Sequence, residues 1–246
     1  MLGIVVSLPR ELRTLTRQRI PVGSWRAITD STLVALSGVG GERAYTAGAV
    51  LISQGATALL SWGCAAALND GVRPGCLLLP ECIIGKNGEI HSVNIEWHQH
   101  LYRALRSKHP VQTEPLAESD AILKTAAEKR ALAAQTNAAA TDMESAAQAR
   151  LAKDHGLPFM AIRAIVDTLS TDIPQSVVTA LDPKGNVNLW KLLTGSTSQD
   201  WIKIARLGIQ FNLAQRTLKR TRKLVLDSSL IDPPSPAGAL TLPVTY

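Results

Sequence analysis

Residues 137–170 read NAAATDMESAAQARLAKDHGLPFMAIRAIVDTLS, and this stretch decides the fold. It divides into a small-residue lead-in, a helix over 143–155 carrying Met143 and Glu144, a Gly156-Leu157-Pro158 break, and an apolar run ending at Asp167. Ala, Gln, Arg and Lys are good helix formers, and Gly followed two residues on by Pro is a stop signal. The run 159–166 is short, mostly apolar and bounded by turn residues, which predicts a strand buried on both faces. Ligands of open α/β sheets bind just beyond the carboxyl ends of the strands, so Asp167 is the leading catalytic candidate. Arg163 is the odd residue in that strand. A buried Arg needs a carboxylate or carbonyl partner, and Arg163 is read as bracing the site.

Outward from this stretch, the fold class is α/β: one domain over residues 1–227 with a mixed, largely parallel sheet flanked by helices. A chain of 246 residues with 46% hydrophobic content can bury a full core. The Pro-rich remainder, 228–246, has little to pack and is expected to be a mobile tail. The apolar runs are shorter than a bilayer span and residues 1–8 lack a basic leader, so the expectation is a soluble, cytoplasmic protein. Cys64, Cys76 and Cys82 lack CxxC spacing and lie in apolar contexts, which predicts buried free thiols without a metal site. The net charge of +6 is concentrated late: seven Lys or Arg stand at 203, 206, 216, 219, 220, 222 and 223 against Asp200. With 4% aromatics and no interleaving of bases and rings, nucleic-acid binding has little support.

Residues 2–8 read as a central strand running into Pro9-Arg10-Glu11-Leu12, which opens a helix and projects Glu11 from the junction. A second buried strand, 33–36, leads to Ser37-Gly38-Val39-Gly40-Gly41 and a helix through about Gln54. Such a loop lets backbone amides approach phosphate or a polarised water. A dinucleotide site is disfavoured, because Arg43 stands at the third glycine position of G-x-G-x-x-G. The strand 58–62 is followed by the small-residue loop Gly63-Cys64-Ala65-Ala66-Ala67, and 76–84 is a further strand. His91, His98, His100 and His109 are read as surface residues in a polar stretch. A helix is expected over 125–134, a polar loop covers the site over 168–175, and Asp182-Pro183-Lys184-Gly185-Asn186 is a turn. The last helix, about 200–225, has Ile204, Leu207, Phe211, Ala214, Leu218 and Val225 on one stripe facing the sheet.

Asp142-Met143-Glu144-Ser145-Ala146-Ala147, then Gly156-Leu157-Pro158-Phe159 and Ile162-Arg163-Ala164-Ile165-Val166-Asp167, resembles the nucleoside phosphorylase and nucleosidase superfamily, near its adenosine-type nucleosidases. The similarity in order and spacing covers residues 2–225. It implies cleavage of a nucleoside N-glycosidic bond, with Asp167 as the acid at the purine. Glu144 would accept from the ribose hydroxyls, Met143 would lie beneath the sugar, and Ile122 falls in the segment that packs on the base. Ser37, Gly38, Gly63, Cys64 and Ala65 fall in the substrate loops. Chemically, a neutral carboxylic acid at a strand end can protonate a leaving base, and apolar surroundings would raise its pKa enough to do so.

The acceptor stays open. Glu11 falls where hydrolytic members keep the carboxylate that activates water, and a carboxylate repels phosphate. Purine phosphorylases carry Arg and Ser in the loop that here reads Ser61-Trp62-Gly63-Cys64, although Arg10, Arg13 or Arg43 could substitute. No cofactor is implied beyond phosphate as a candidate co-substrate.

The Asp-Met-Glu-Ser motif, the Asp182-Pro183-Lys184-Gly185 turn and the basic final helix are similar to the hopanoid-associated phosphorylase branch. That resemblance implies adenosylhopane as substrate and adenine as product. A lipid-linked substrate gives the basic helix over 200–225 a role in peripheral contact with an anionic membrane at the inner face, although a solvated helix face is the plainer reading. The family also implies a homo-oligomer, at least a dimer. Two other readings remain: a methylthioadenosine, adenosylhomocysteine or purine salvage enzyme, and a non-catalytic nucleoside-binding or membrane-docking protein.

Overall fold

The computed structural model describes residues 1–182, 184–186 and 188–226. The tail expected over 228–246 lies outside them, as does Pro183 of the expected turn. The first half is built on β1 (Leu2–Val6), which pairs in parallel with β3 (Thr32–Leu36) on one side and β4 (Ala58–Ala67) on the other. Outermost, β2 (Ser24–Thr29) runs antiparallel to β3. Every residue of β1 and β3 is buried, so the chain reads there as continuous apolar runs rather than alternation. Helix α1 (Pro9–Leu15) follows β1 and helix α2 (Gly41–Ser53) follows β3.

The second half adds β5 (Leu77–Leu78), β6 (Cys82–Ile84), β7 (Ile90–Ser92), α3 (Ile95–Leu105), β8 (Val111–Gln112) and β9 (Leu116–Glu118). It continues with α4 (Ala126–Thr136), β10 (Ala140–Asp142), α5 (Ser145–Asp154) and β11 (Phe159–Ile165). The chain then runs through α6 (Gln175–Ala180), α7 (Leu189–Gly195) and α8 (Ser198–Leu226). The long strand β4 joins the halves: its body pairs in parallel with β1 and β11, and its end pairs antiparallel with β10. Among the described residues the result is a mixed, mostly parallel eleven-stranded sheet flanked by helices.

Ile4, Val6, Leu60 and Ile162 are fully buried in this spine. Each such side chain contributes about 1.5–3 kcal/mol over its exposed state. β11 is buried throughout and Asp167 follows its end, as the apolar run predicted. Several expectations are corrected. The small residues 63–67 are not a loop; they continue β4, Gly63, Cys64 and Ala65 pairing with β11 and Ala66 and Ala67 with β10. The stretch 76–84 is two short strands, split at Leu79-Pro80-Glu81, where Pro lacks the ladder donor. Residues 140–142 form β10, and the following helix starts at Ser145, so Glu144 is its N-cap and Met143 precedes it.

The polar histidine stretch is largely α3, capped by the Asn94 side chain. His91 and His98 are buried rather than surface residues, and His98 Nε2 lies 2.9 Å from the carbonyl oxygen of Leu79. The three cysteines are free but half-buried rather than buried. In α8, Ala214, Leu218 and Val225 are buried, while Ile204, Leu207 and Phe211 are half-buried. Among the described residues, no helix is long and apolar enough to cross a membrane.

Candidate active site

At the carboxyl ends of β1, β4 and β11 lies a cavity of about 210 Å³. Four carboxylate side chains line it: Glu11, Asp142, Glu144 and Asp167. All four are more than nine-tenths buried. Apolar walls come from Leu8, Val39, Ile122, Leu123, Ile173 and Phe211, with Cys64, Ala65 and Met143 beside the acids. Among the described lining residues there is no Lys or Arg.

Asp167 Oδ1 accepts from the Ala67 amide at 2.9 Å, and its Oδ2 is 2.5 Å from Lys129 Nζ. Lys129 comes from the first turn of α4 and is fully buried. Its amine also donates to the carbonyls of Thr168 at 3.0 Å and Thr171 at 3.2 Å. The surroundings expected to be apolar therefore contain a cation. Burial still raises the Asp167 pKa, while Lys129 and the Ala67 amide pull it back.

Glu144, at the N-cap of α5, reaches back to α2, where its Oε1 accepts from the Gly40 amide at 2.9 Å. Gly40 has φ +107°, a conformation that favours glycine. The amide that the glycine loop offered to phosphate is thus taken by a carboxylate. Burial and the neighbouring Asp142 raise the Glu144 pKa to about 7. Asp142 is itself held from below: Arg163 Nε donates to its Oδ2 at 2.5 Å, and the amides of Glu144 and Ser145 donate to its Oδ1 at 3.2 and 3.0 Å. Arg163 Nη2 donates to the hydroxyls of Ser61 at 2.6 Å and Ser145 at 2.9 Å. Arg163 therefore braces the floor behind Asp142 and is not part of the cavity wall.

Glu11 sits at the third position of α1. Its Oε2 accepts from the Leu8 amide at 3.1 Å, which caps the helix, and its Oε1 accepts from the Cys64 amide at 2.7 Å. Burial raises its pKa, and the Arg163 charge opposes that rise. The carboxylate lies against the backbone of Gly63, where a β-carbon would come within 2.8 Å of Oε1. Gly63 is thus required by the close approach of Glu11.

Ser37 and Gly38 stand apart. The Ser37 hydroxyl donates to the carbonyls of Val6 and Gly38 and faces a separate cleft, and Val39 is the residue of that loop which lines the cavity. Of the arginines considered for phosphate, Arg10 lies 5.7 Å from the ring centre of Phe211, while Arg13 and Arg43 line other clefts. The sequence reading missed Lys129 and Asp142 as site groups. For Asp142 a signal existed, since buried Arg163 demanded a carboxylate. Lys129 lies in an Ala-rich helix that reads as solvated.

A family profile for the phosphorylase superfamily matches residues 2–188, and the chain belongs to that superfamily of nucleoside phosphorylase and nucleosidase enzymes. A comparison with curated proteins gives no match. Among solved structures the fold is similar to the 5′-methylthioadenosine/S-adenosyl homocysteine nucleosidase of Helicobacter pylori, with a TM-score of 0.69 and 15% identity over 94% of this chain and 97% of that one. It is also similar to the futalosine hydrolase of Helicobacter pylori, with a TM-score of 0.69 and 14% identity over 94% and 97%. The corresponding nucleosidase of Neisseria meningitidis has a TM-score of 0.67 and 17% identity over 92% and 98%.

Proposed function

We propose that this chain hydrolyses the N-glycosidic bond of a 5′-substituted adenosine, with adenosylhopane as substrate and adenine as product. The observation that carries hydrolysis is a cavity walled by four carboxylates with no cation among its described lining residues. Asp142 and Asp167 are paired from behind with Arg163 and Lys129, so phosphate, a dianion near neutral pH, would meet Glu11 and Glu144 at a cost that water avoids. As the bond from C1′ to N9 breaks, its electron pair moves into the purine and Asp167 gives its proton to N7. Glu11 takes a proton from water as the water oxygen bonds to C1′, so the pair ends with its protonation states exchanged. Glu144 accepts hydrogen bonds from the 2′ and 3′ hydroxyls, with Met143 beneath the furanose.

The lipid part of the reading rests on the motif resemblance and on α8. Phe211 of α8 lines the cavity, and the same helix exposes Trp201, Ile202 and Ile209, the last two 74% and 63% exposed. Toward its end, Lys219, Arg222 and Lys223 share a cleft with Arg13 and Arg17 of α1 and the residues after it. Apolar side chains flanked by bases suit an anionic bilayer surface, each base contributing about 1 kcal/mol. The protein would then be cytoplasmic and peripheral, and the resemblance adds assembly into at least a dimer. The size of the cavity favours a second reading: about 210 Å³ suits a nucleoside with a short substituent such as methylthioadenosine, whereas a triterpene must lie outside along α8.

One assay separates these readings: adenine release from adenosylhopane in anionic vesicles and from methylthioadenosine, each with and without phosphate. We expect phosphate-independent release, fastest from the lipid. Rapid cleavage of methylthioadenosine alone promotes the second reading, a requirement for phosphate overturns hydrolysis, and release from neither leaves a non-catalytic binding protein.

The ribose grip has its own pH signature. Ionised Glu144 can accept from two hydroxyls and its protonated form from fewer, so nucleoside affinity should rise as pH rises through about 7. Titration calorimetry across that range should show this dependence in the native chain and its loss in Glu144→Gln.

A further inference from the structure

We propose that Lys129 is a positioning residue for Asp167, fixing the orientation of its carboxyl group and setting how readily that group releases a proton. The inference rests on the glycosidase reading, and its evidence is geometric. Lys129 is fully buried, and its three amine hydrogens are matched by three acceptors: Asp167 Oδ2, the Thr168 carbonyl and the Thr171 carbonyl. A buried Lys is costly unless paired, and this one is spent on a single cavity carboxylate and the loop that follows it.

The pairing also joins two walls of the cavity. Around Lys129, the Ala126 amide donates to Asp172 Oδ1 at 2.9 Å, and the Ile173 amide donates to the Lys124 carbonyl at 2.7 Å. The segment bearing Ile122 and Leu123 is thereby tied to the segment bearing Ile173, and all three side chains line the cavity. With Oδ2 held by Lys129 and Oδ1 by the Ala67 amide of β4, the carboxyl plane is pinned from two elements.

The charges around Asp167 decide the sign. Lys129 from α4 is the cation acting on it, and Glu11 from α1, Asp142 at the end of β10 and Glu144 at the N-cap of α5 are the other carboxylates of the cavity. Burial alone would leave Asp167 a weak acid that keeps its proton, and the adjacent ammonium makes it a stronger one. A general acid must hold a proton at working pH and still release it, and Lys129 moves Asp167 toward that balance. No proton leaves Lys129 in this scheme.

The test compares the native chain with Lys129→Met, which keeps the stem and removes the charge. In carbon-13 aspartate-labelled protein, the Asp167 carboxyl signal, assigned by its loss in Asp167→Asn, should titrate roughly 1 to 3 pH units higher in Lys129→Met. For adenine release, the alkaline limb of the kcat profile should move up with it, the plateau should fall, and KM should change little. An unmoved titration midpoint, or a loss confined to KM or thermal stability, overturns the proposal. Should Lys129→Met fail to fold, the native protein decides: the nitrogen-15 signal of the Lys129 amine must shift with the Asp167 midpoint, and independence of the two refutes the pairing. The titrations require no turnover, so absence of adenine release would count against the glycosidase reading, while the midpoints alone decide whether Lys129 sets the acidity of Asp167.

Discussion

Asp167→Asn is expected to lower kcat for adenine release by roughly 10²- to 10⁴-fold, the range for loss of a general acid, with KM moved far less. Asn is nearly isosteric, and its amide oxygen can still accept from the Ala67 amide at the position of Oδ1. Its amide nitrogen would then face the Lys129 amine, donor against donor. The same substitution leaves a buried cation without its carboxylate, a change that costs about 3–5 kcal/mol. Rate and stability must therefore be separated. The double variant Asp167→Asn with Lys129→Met removes both charges and should recover most of the thermal stability while the rate stays low. A stable Asp167→Asn protein releasing adenine at the native rate would remove Asp167 from the chemistry.

The parts of this site visible in the sequence share a property: each side chain breaks the pattern of its own element. Arg163 interrupts an apolar strand, Asp167 ends one, and Glu144 stands where a helix begins. The strand β11 was legible because seven apolar positions between a Gly-Pro break and a carboxylate admit few other readings. The strand character of 63–67 was not legible, because small residues give no periodic signal and only pairing with β10 and β11 reveals it. Lys129 was hidden for a related reason. In AAEKRALAAQT a lysine is the ordinary solvent-facing residue, and only the placement of α4 against the loop after β11 buries it. The constraint that Glu11 places on Gly63, 52 positions later in the chain, was equally hidden. What sequence conveys well is the local rule and its violation; long-range charge pairing depends on packing that the local pattern does not encode.

Arg163→Met should produce a large stability loss and, separately, shift the pH response of binding. Arg163 gives Nε to Asp142 and Nη2 to Ser61 and Ser145, so Met leaves the Asp142 carboxylate buried without its cation. The expected cost is about 3–5 kcal/mol, which in a chain of this size lowers Tm by roughly 10 °C. Adding Asp142→Asn should return much of it, since removing both members of a buried pair is often close to neutral. The pH response distinguishes bracing of the site from support of the fold alone. The Arg163 charge also opposes the upward pKa shifts of Glu11 and Glu144. Without it both carboxyls hold their protons longer, so the midpoint for nucleoside affinity should climb above the value of about 7 set by Glu144 in the native chain. If Arg163 served only the fold, calorimetry on the folded fraction of Arg163→Met would return the native midpoint; a raised midpoint shows that one guanidinium behind β10 tunes the Glu144 carboxyl as well as holding Asp142.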